Sequence, residues 1–438
     1  MHICHKWRRI VFSYEQSLQL RLFCTYGTPV KTTLDCWPRA LPIVVDYGGS
    51  PEFDPPTQEE ENDIMAALNQ PDRVHSISLT ITSSLLGKLS AIKRPFSKLE
   101  HLILLSLDDV QLTLPNTFRW GQCLRRLHST RIVIPAFVRS YYSSIMDLQL
   151  HEVPNPWHLS RNAFLDALSR MAQLRSLSLY FLPTSDHVTV SLTSRNRVVF
   201  TALTRFKYRG FVRDFEDLVA RIDTPRLEDI EVTFSNKYTL YCSVLTRFIN
   251  RIEMSKSYRQ ARLLFSESAI SVSLTQPEAR TRIKFQLFCE PFPLQLSSMT
   301  RIVNQFSALL LDVQDLLVAV TPQSRQEDIS YTGRWLTLLH LFEGVKWLYL
   351  VGNLSIEIVR ILQLYNAVLP ALRGIYIPQP GPRHVPLREA LVSFMTSRRL
   401  SGHPIAVEYE QLIHMSELSG AGTKHTQCRC HASLTRFQ

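Results

Sequence analysis

Leu174-Arg-Ser-Leu177-Ser-Leu179 places apolar residues at its first, fourth and sixth positions, and the same spacing returns along most of the chain. It occurs at Val74-His-Ser-Ile77-Ser-Leu79, at Leu99-Glu-His-Leu102-Ile-Leu104 and at Ile145-Met-Asp-Leu148-Gln-Leu150. Leu124-Arg-Arg-Leu127 opens the same way, with Ser129 in the third apolar place. Leu203-Thr-Arg-Phe206-Lys-Tyr208 and Leu227-Glu-Asp-Ile230-Glu-Val232 follow. After a gap come Val313-Gln-Asp-Leu316-Leu-Val318, Val345-Lys-Trp-Leu348-Tyr-Leu350 and Leu372-Arg-Gly-Ile375-Tyr-Ile377. The steps between successive starts are 25, 25, 21, 29, 29, 24, 86, 32 and 27 residues. Most lie inside the roughly 20–29-residue period of leucine-rich repeats, whose first half reads L-x-x-L-x-L. One such match means little in a leucine-rich chain, but ten in near-register rarely arise by accident.

The intervals support strand-then-helix units. A helical apolar period runs through Ala163–Met171, Phe215–Ile222, Ser355–Tyr365 and Leu387–Ser397. The fold class expected is α/β: an irregular leucine-rich-repeat solenoid over 40–410, with a curved parallel sheet and outer helices. An unrelated α/β fold with leucine-rich strands is the competing reading. Pro42-Ile-Val-Val45 is expected to start the stack, with a return helix from Gln58 to Leu68. Thr57 and Glu60 have capping-box spacing before that helix. The long step predicts an irregular insertion at about 233–312. There, helices are expected near Tyr241–Met254 and Met299–Leu310. Ala269–Leu274 and Arg282–Phe288 alternate with period two and read as a strand pair joined through Thr275–Thr281.

Composition bounds the rest. The chain has 438 residues, 45% apolar and 20% charged, which is a foldable globular mixture. Lys plus Arg is 49 against 38 Asp plus Glu, a net charge of +11. That charge permits an acidic partner without demanding one. Acidic residues interleaved with Arg in the repeats argue against a nucleic-acid face. No stretch approaches the roughly 18 uninterrupted apolar residues of a membrane helix. The start of the chain lacks the apolar run of a secretory signal. The eight cysteines lack C-x-x-C spacing. Reduced thiols in the cytoplasm and/or nucleus are expected.

Strand side chains alternate, so the third, fifth and seventh positions of each unit should line the concave face. Unit by unit these are Ser76 and Ser78; His101 and Ile103; Arg126 and His128; Asp147, Gln149 and His151; Ser176, Ser178 and Tyr180. A basic rung of Arg205, Lys207 and Arg209 follows, beside an acidic rung of Asp229 and Glu231. Trp347, Tyr349 and Tyr376 end the column. Arg126, His128, Arg205, Lys207, Arg209, Trp347, Tyr349 and Tyr376 are the candidate target-binding residues. Aromatic and Arg side chains dominate interface hot spots. The competing readings are structural: the aromatics pack beneath the C-terminal segment, and Asp229 and Glu231 neutralise Arg205 and Lys207 across adjacent strands.

Ile3-Cys-His-Lys-Trp-Arg-Arg9 begins a stretch that resembles the last portion of an F-box, with Ile3, Cys4, Trp7 and Arg8 at the matching positions of a Val-Cys-x-x-Trp-Arg pattern. Tyr26-Gly-Thr-Pro29, Trp37-Pro38 and Pro42–Gly49 are similar to segments of F-box proteins abundant in mushroom-forming fungi. In that family a leucine-rich-repeat-like region follows the box. The resemblance implies a helical F-box remnant over 1–25 and the role of substrate receptor in a cullin-based ubiquitin ligase. A Skp-type adaptor would be held by the box and a protein target, of unknown identity, by the repeats. The receptor itself performs no chemistry. The sequence opens inside the motif, so a second expectation is a repeat scaffold that does not bind the adaptor.

No G-x-S-x-G, Walker loop, H-E-x-x-H or G-x-G-x-x-G pattern occurs. A non-enzyme without cofactor or metal is expected. The tail His425-Thr-Gln-Cys428-Arg-Cys430-His431 lacks zinc-ligand spacing. Residues 416–438 read as a disordered tail.

Overall fold

The repeat's apolar positions align strand by strand. The computed structural model describes residues 19–25, 27, 29–47, 55–108, 112–134, 143–153, 164–181, 197–235, 243–252, 258–276, 281–289, 292–320, 331–352, 355–365, 367–378 and 385–410. They belong to two compact units. The first takes the chain to Gly210 together with Asp217–Leu227; the second takes Phe211–Glu216 together with Glu228 onward.

In the first unit the sheet strands are β1 (Leu20–Phe23), β2 (Ile43–Tyr47), β3 (Val74–Ile81), β4 (His101–Ser106), β5 (Arg126–Thr130), β6 (Asp147–Val153), β7 (Ser176–Phe181) and β8 (Arg205–Gly210). They lie side by side in chain order, all parallel. Ile77, Leu102, Leu127, Leu148, Leu177 and Phe206 form one continuous rung, and each is fully buried. The next inward rung, Leu79, Leu104, Ser129, Leu150, Leu179 and Tyr208, contains the irregular serine. Ser129 is tolerated there because its hydroxyl donates to the Ile132 carbonyl at 2.7 Å, so no buried polar group is left unpaired.

Helices close some repeats only. α1 (Val30–Cys36), α2 (Gln58–Leu68) and α3 (Ser83–Leu89) follow β1, β2 and β3. Helix α2 starts where the sequence predicts it. Thr57 Oγ1 accepts from the Glu60 amide at 3.4 Å, and the Glu60 carboxylate accepts from the Thr57 amide at 2.8 Å. After β4, β5 and β7 the described return segments hold short extended stretches instead. Leu112–Thr113 pairs with Ile132–Val133, and Val198–Val199 pairs with Ile222–Asp223. Residues 164–169 are helical. Outer helices, expected in several of the intervals, thus follow some strands, and extended segments follow others. Segments such as Leu112-Thr-Leu-Pro115 hold a β-branched residue and a proline, and run extended across the back of the sheet.

The first strand also corrects the sequence reading. Among the described residues the stack begins at Leu20 rather than Pro42, because β1 pairs in register with β2. Leu20 and Leu22 point inward while Arg21 and Phe23 face solvent, the alternation of a strand rather than a helix. The helical reading of 1–25 thus fails over its last described turn, and residues 1–18 lie outside the described residues.

In the second unit the strands are β9 (Asp229–Phe234), β10 (Gln260–Phe265), β11 (Ala269–Thr275), β12 (Arg282–Phe288), β13 (Asp315–Val320), β14 (Trp347–Val351), β15 (Gly374–Pro378) and β16 (Ala406–Glu410). Their spatial order is β9, β12, β11, β10, β13, β14, β15, β16. The predicted hairpin exists: β11 and β12 are antiparallel, with Thr275 opposite Arg282. An unpredicted strand, β10, pairs antiparallel with β11 and parallel with β13. The insertion is thus a three-stranded meander laid backwards into the repeat sheet. Its two outer strands run parallel to their neighbours and only β11 opposes them.

The helices described are α4 (Val212–Arg221), α5 (Ser243–Asn250), α6 (Phe292–Gln305), α7 (Ser307–Leu310), α8 (Thr332–Leu339), α9 (Ser355–Leu364) and α10 (Val385–Leu400). Helix α4 is divided between the two units, and aromatic side chains of α6 and α8 cover inward side chains of the second unit. Phe285 of β12 stacks on Phe306 at 4.9 Å. Phe265 of β10 meets Trp335 of α8 at 5.4 Å and Phe292 of α6 at 5.6 Å. Both units are built as irregular leucine-rich repeats, with one sheet face buried and the other open. No helix among the described residues is long and apolar enough to cross a membrane.

Candidate functional site

The open sheet face carries the outward positions of every strand. In the first unit one outward rung is His101, Arg126, Asp147, Ser176 and Arg205. The next is Ile103, His128, Gln149, Ser178 and Lys207. Arg126, Arg205, Lys207 and Arg209 are exposed there, and His128 is half-buried. Arg126 and His128 stand on β5 and the three basic residues on β8. Two strands intervene, a separation of roughly 14 Å at the usual strand spacing. Arg126 and His128 thus lie apart from Arg205, Lys207 and Arg209 along the first unit's open face.

Arg209 lies over Tyr180 of β7, with its guanidinium carbon 4.3 Å from the ring centroid. The acidic rung in the second unit has its own partners. Arg282 grips Asp229 through two hydrogen bonds of 3.0 and 3.2 Å, and Lys284 donates to Glu231 at 2.8 Å. This follows from the reversed meander, which sets β12 rather than β10 beside β9.

His128 is brought against His151, a residue of the column that was not among the sequence candidates. Their rings lie edge to face at 5.0 Å. His128 Nε2 is 3.2 Å from Thr130 Oγ1, and His151 Nε2 is 2.9 Å from Ser178 Oγ. A bulge in β6 places them, since the ladder shifts between Leu150 and Val153 and Glu152 takes a left-handed φ of 51°. Arg131, at the end of β5, has φ of 60° and pairs with Glu152. Burial and the neighbouring His128, with a smaller contribution from Lys207, push His151 down from its ordinary 6.5 to about 4, against the opposing pull of Glu152 and Asp147. Burial also lowers His128.

A histidine whose folded value lies below its unfolded value binds fewer protons folded than unfolded in the interval between the two. Stability must then fall as pH drops from about 6.5 toward 4. His151→Asn is expected to flatten that loss, measured as the urea midpoint at stepped pH. Parallel loss in both proteins would show that the histidine pair is not its source.

In the second unit the aromatic residues do assemble. Tyr349 of β14 and Tyr376 of β15 are cross-strand partners whose rings stack at 4.5 Å, 4° from parallel. Trp347 leans onto Tyr376 at 5.6 Å. A glycine makes the room: a Cβ on Gly374 would clash with the Trp347 ring. All three aromatics are half-buried on the open face. Beyond them β16 presents Ala406 and Glu408, both exposed, with Glu408 opposite Tyr376. Glu408 and Gly374 were not found from the sequence. The signal for β16 was Val407 and Tyr409, opposite Ile375 and Ile377, but Pro404 stands where the repeat's first apolar residue would be.

Ile3, Cys4, Trp7 and Arg8 lie outside the described residues, as do His425, Cys428, Cys430 and His431. Among the described residues no three His, Cys, Asp or Glu side chains converge as a metal site. A cavity of about 400 Å³ at the edge of the first unit is lined by Glu100, Cys123, Arg125 and Met146 among others. Its described lining holds no histidine to serve as a base for the Cys123 thiol.

No family model matches the chain, and no curated protein matches it. Among solved structures it is similar to the leucine-rich repeat-containing protein LegL7 from Legionella pneumophila, at 12% identity, over 86% of this chain and 97% of that one, with a TM-score of 0.29. The fold assignment rests on the strand register above, not on that likeness.

Proposed function

We propose that the chain is a non-enzymatic protein-recognition module of the interaction-scaffold type, and that its repeats hold the target of an F-box-like substrate receptor in a cullin-based ubiquitin ligase. The observation that carries the recognition role is the Trp347–Tyr376–Tyr349 cluster on the open face. Large aromatic rings left at a solvent-facing sheet surface offer contact area that is released from water only when a partner covers it. The ligase role is supported by the F-box-like stretch at Ile3–Arg9 preceding the repeats.

One observation favours the second reading, a scaffold that does not engage the adaptor. The end of the box-like stretch, Leu20–Phe23, is a sheet strand on β2. Retention of this chain, and of a version extended upstream through a complete F-box, on purified Skp adaptor separates the two readings. Retention of either supports the receptor role; retention of neither leaves the scaffold. Target binding is tested by Trp347→Ala with Tyr349→Ala. The double variant is expected to stay folded and to lose about 2 kcal/mol or more of binding, roughly thirtyfold in Kd. Unfolding of the double variant would make these rings structural and remove them from the binding face.

A further inference from the structure

Arginines gather where the strands of the first unit begin. Just ahead of β4, β5, β6, β7 and β8 stand Glu100, Arg125, Met146, Arg175 and Thr204. From Arg125 onward, each amide of this row donates to the carbonyl of its predecessor at 2.8 or 2.9 Å. The next row holds His101, Arg126, Asp147, Ser176 and Arg205. Backbone pairing alone therefore fixes Arg125, Arg126, Arg175 and Arg205 along one edge of one sheet. All four side chains are exposed. Among the described residues none of their guanidinium groups makes a hydrogen bond, an ion pair or a ring contact.

The edge is positive on balance. Its two rows hold these four arginines against the carboxylates of Glu100 and Asp147, and Asp147 accepts from Gln149 at 3.3 Å. His101 feels the excess. Burial lowers its imidazole from the ordinary 6.5, and Arg126 and Arg125 push the same way against the pull of Glu100. The cavity of about 400 Å³ lies on this edge, with Arg125 on its wall between Glu100 and Met146.

The spacing suits a polypeptide better than a nucleic acid. Arg125 and Arg175 stand two strands apart, about 10 Å, which three residues of extended chain span. Glu100 and Asp147 interrupt the arginines. A nucleic acid carries a phosphate on every residue and would lay some of them against these carboxylates. A peptide can place neutral side chains there. Neither row holds a Phe, Tyr or Trp on which a base could stack.

We propose that this edge of the first unit receives an extended acidic segment of the protein target, with carboxylates set against Arg125, Arg126, Arg175 and Arg205. This rests on the reading of the chain as a protein-recognition module. It adds a contact surface on a different unit from the Trp347 cluster, and one that selects negative charge.

The probe is a fluorescein-labelled dodecapeptide of Ser and Gly with Glu at every third position, titrated with the full-length chain by fluorescence anisotropy at low salt. Circular dichroism melts report folding. Binding is expected, and Arg125→Gln with Arg175→Gln should weaken it about fivefold or more. Arg399→Gln, at an exposed position of α10, should leave it unchanged. The same peptide with Gln in place of Glu should not bind. No binding of the Glu peptide, equal binding of the Gln peptide, or equal loss in Arg399→Gln would overturn the inference and leave the Trp347 and Tyr349 test of target recognition standing. Tighter binding of a labelled oligothymidylate, lost on the same double substitution, would overturn it in favour of a nucleic-acid edge. If the double variant fails to fold, Arg126→Gln with Arg205→Gln takes its place, with the same loss expected and unchanged affinity overturning the inference.

Discussion

Leu177→Ala is expected to destabilise the protein by about 2–5 kcal/mol. Leu177 is fully buried in the middle of the inward rung, between Leu148 on one side and Phe206 on the other. Both neighbours are fixed to their own strands by the ladder, so they cannot move in to fill the space left by the missing methyl groups. The cost therefore combines lost burial with a persistent cavity. Urea denaturation measures it. Ser176→Ala, one position along and facing outward, should stay within about 0.5 kcal/mol. A Leu177→Ala effect within about 0.5 kcal/mol would mean that the strand is turned over, since a one-residue slip exchanges the faces.

Trp335→Ala should cost about 3–5 kcal/mol. The indole is completely buried on α8 and touches Phe265 and Phe292, at 5.4 and 6.4 Å between ring centres. It thereby ties α8 to the meander strand β10 and to α6. Deleting it removes the largest fully buried side chain among the described residues and breaks an edge-to-face contact with Phe265 and a tilted one with Phe292, worth roughly 0.5–1.5 kcal/mol each beyond their area. Trp335→Phe retains much of the volume and should cost less than half as much in the same denaturation experiment. An alanine effect below about 1 kcal/mol would rule out this packing.

The positions that seal the fold were legible because each must be apolar at a fixed spacing. Leu102, Leu127, Leu148, Leu177 and Phe206 fall in one rung in the register the pattern implies. Helix α2 was legible from Thr57 and Glu60, whose capping geometry is local. Strand β10 was not. Its inward residues Ala261, Leu263 and Phe265 alternate, but the outward Leu264 beside a small alanine blurs the contrast. Spatial order was not legible either. The partners Arg282 and Lys284 of the acidic rung lie 53 residues from Asp229 and Glu231, and only the reversed meander brings them together. At the aromatic face the sequence supplied the three rings. It did not show that Gly374 lets Trp347 lie down, nor that a further strand brings Glu408 alongside.

The backward-laid meander also alters the order in which contacts are affordable to the chain. Phe265 meets Ile270 across a turn in which the Ser266 amide donates to the Ala269 carbonyl at 2.8 Å. Leu148 must find Leu177 across a whole repeat. Closing the longer loop carries an entropy penalty larger by about 1.6 kcal/mol on the logarithmic law for flexible chains. Among the described residues, the one place where the strands abandon parallel order is therefore where the topology is most local. Nucleation is favoured in the middle of the sequence, ahead of the repeats on either side, as befits a quasi-one-dimensional array that grows by adding neighbours to a formed seed.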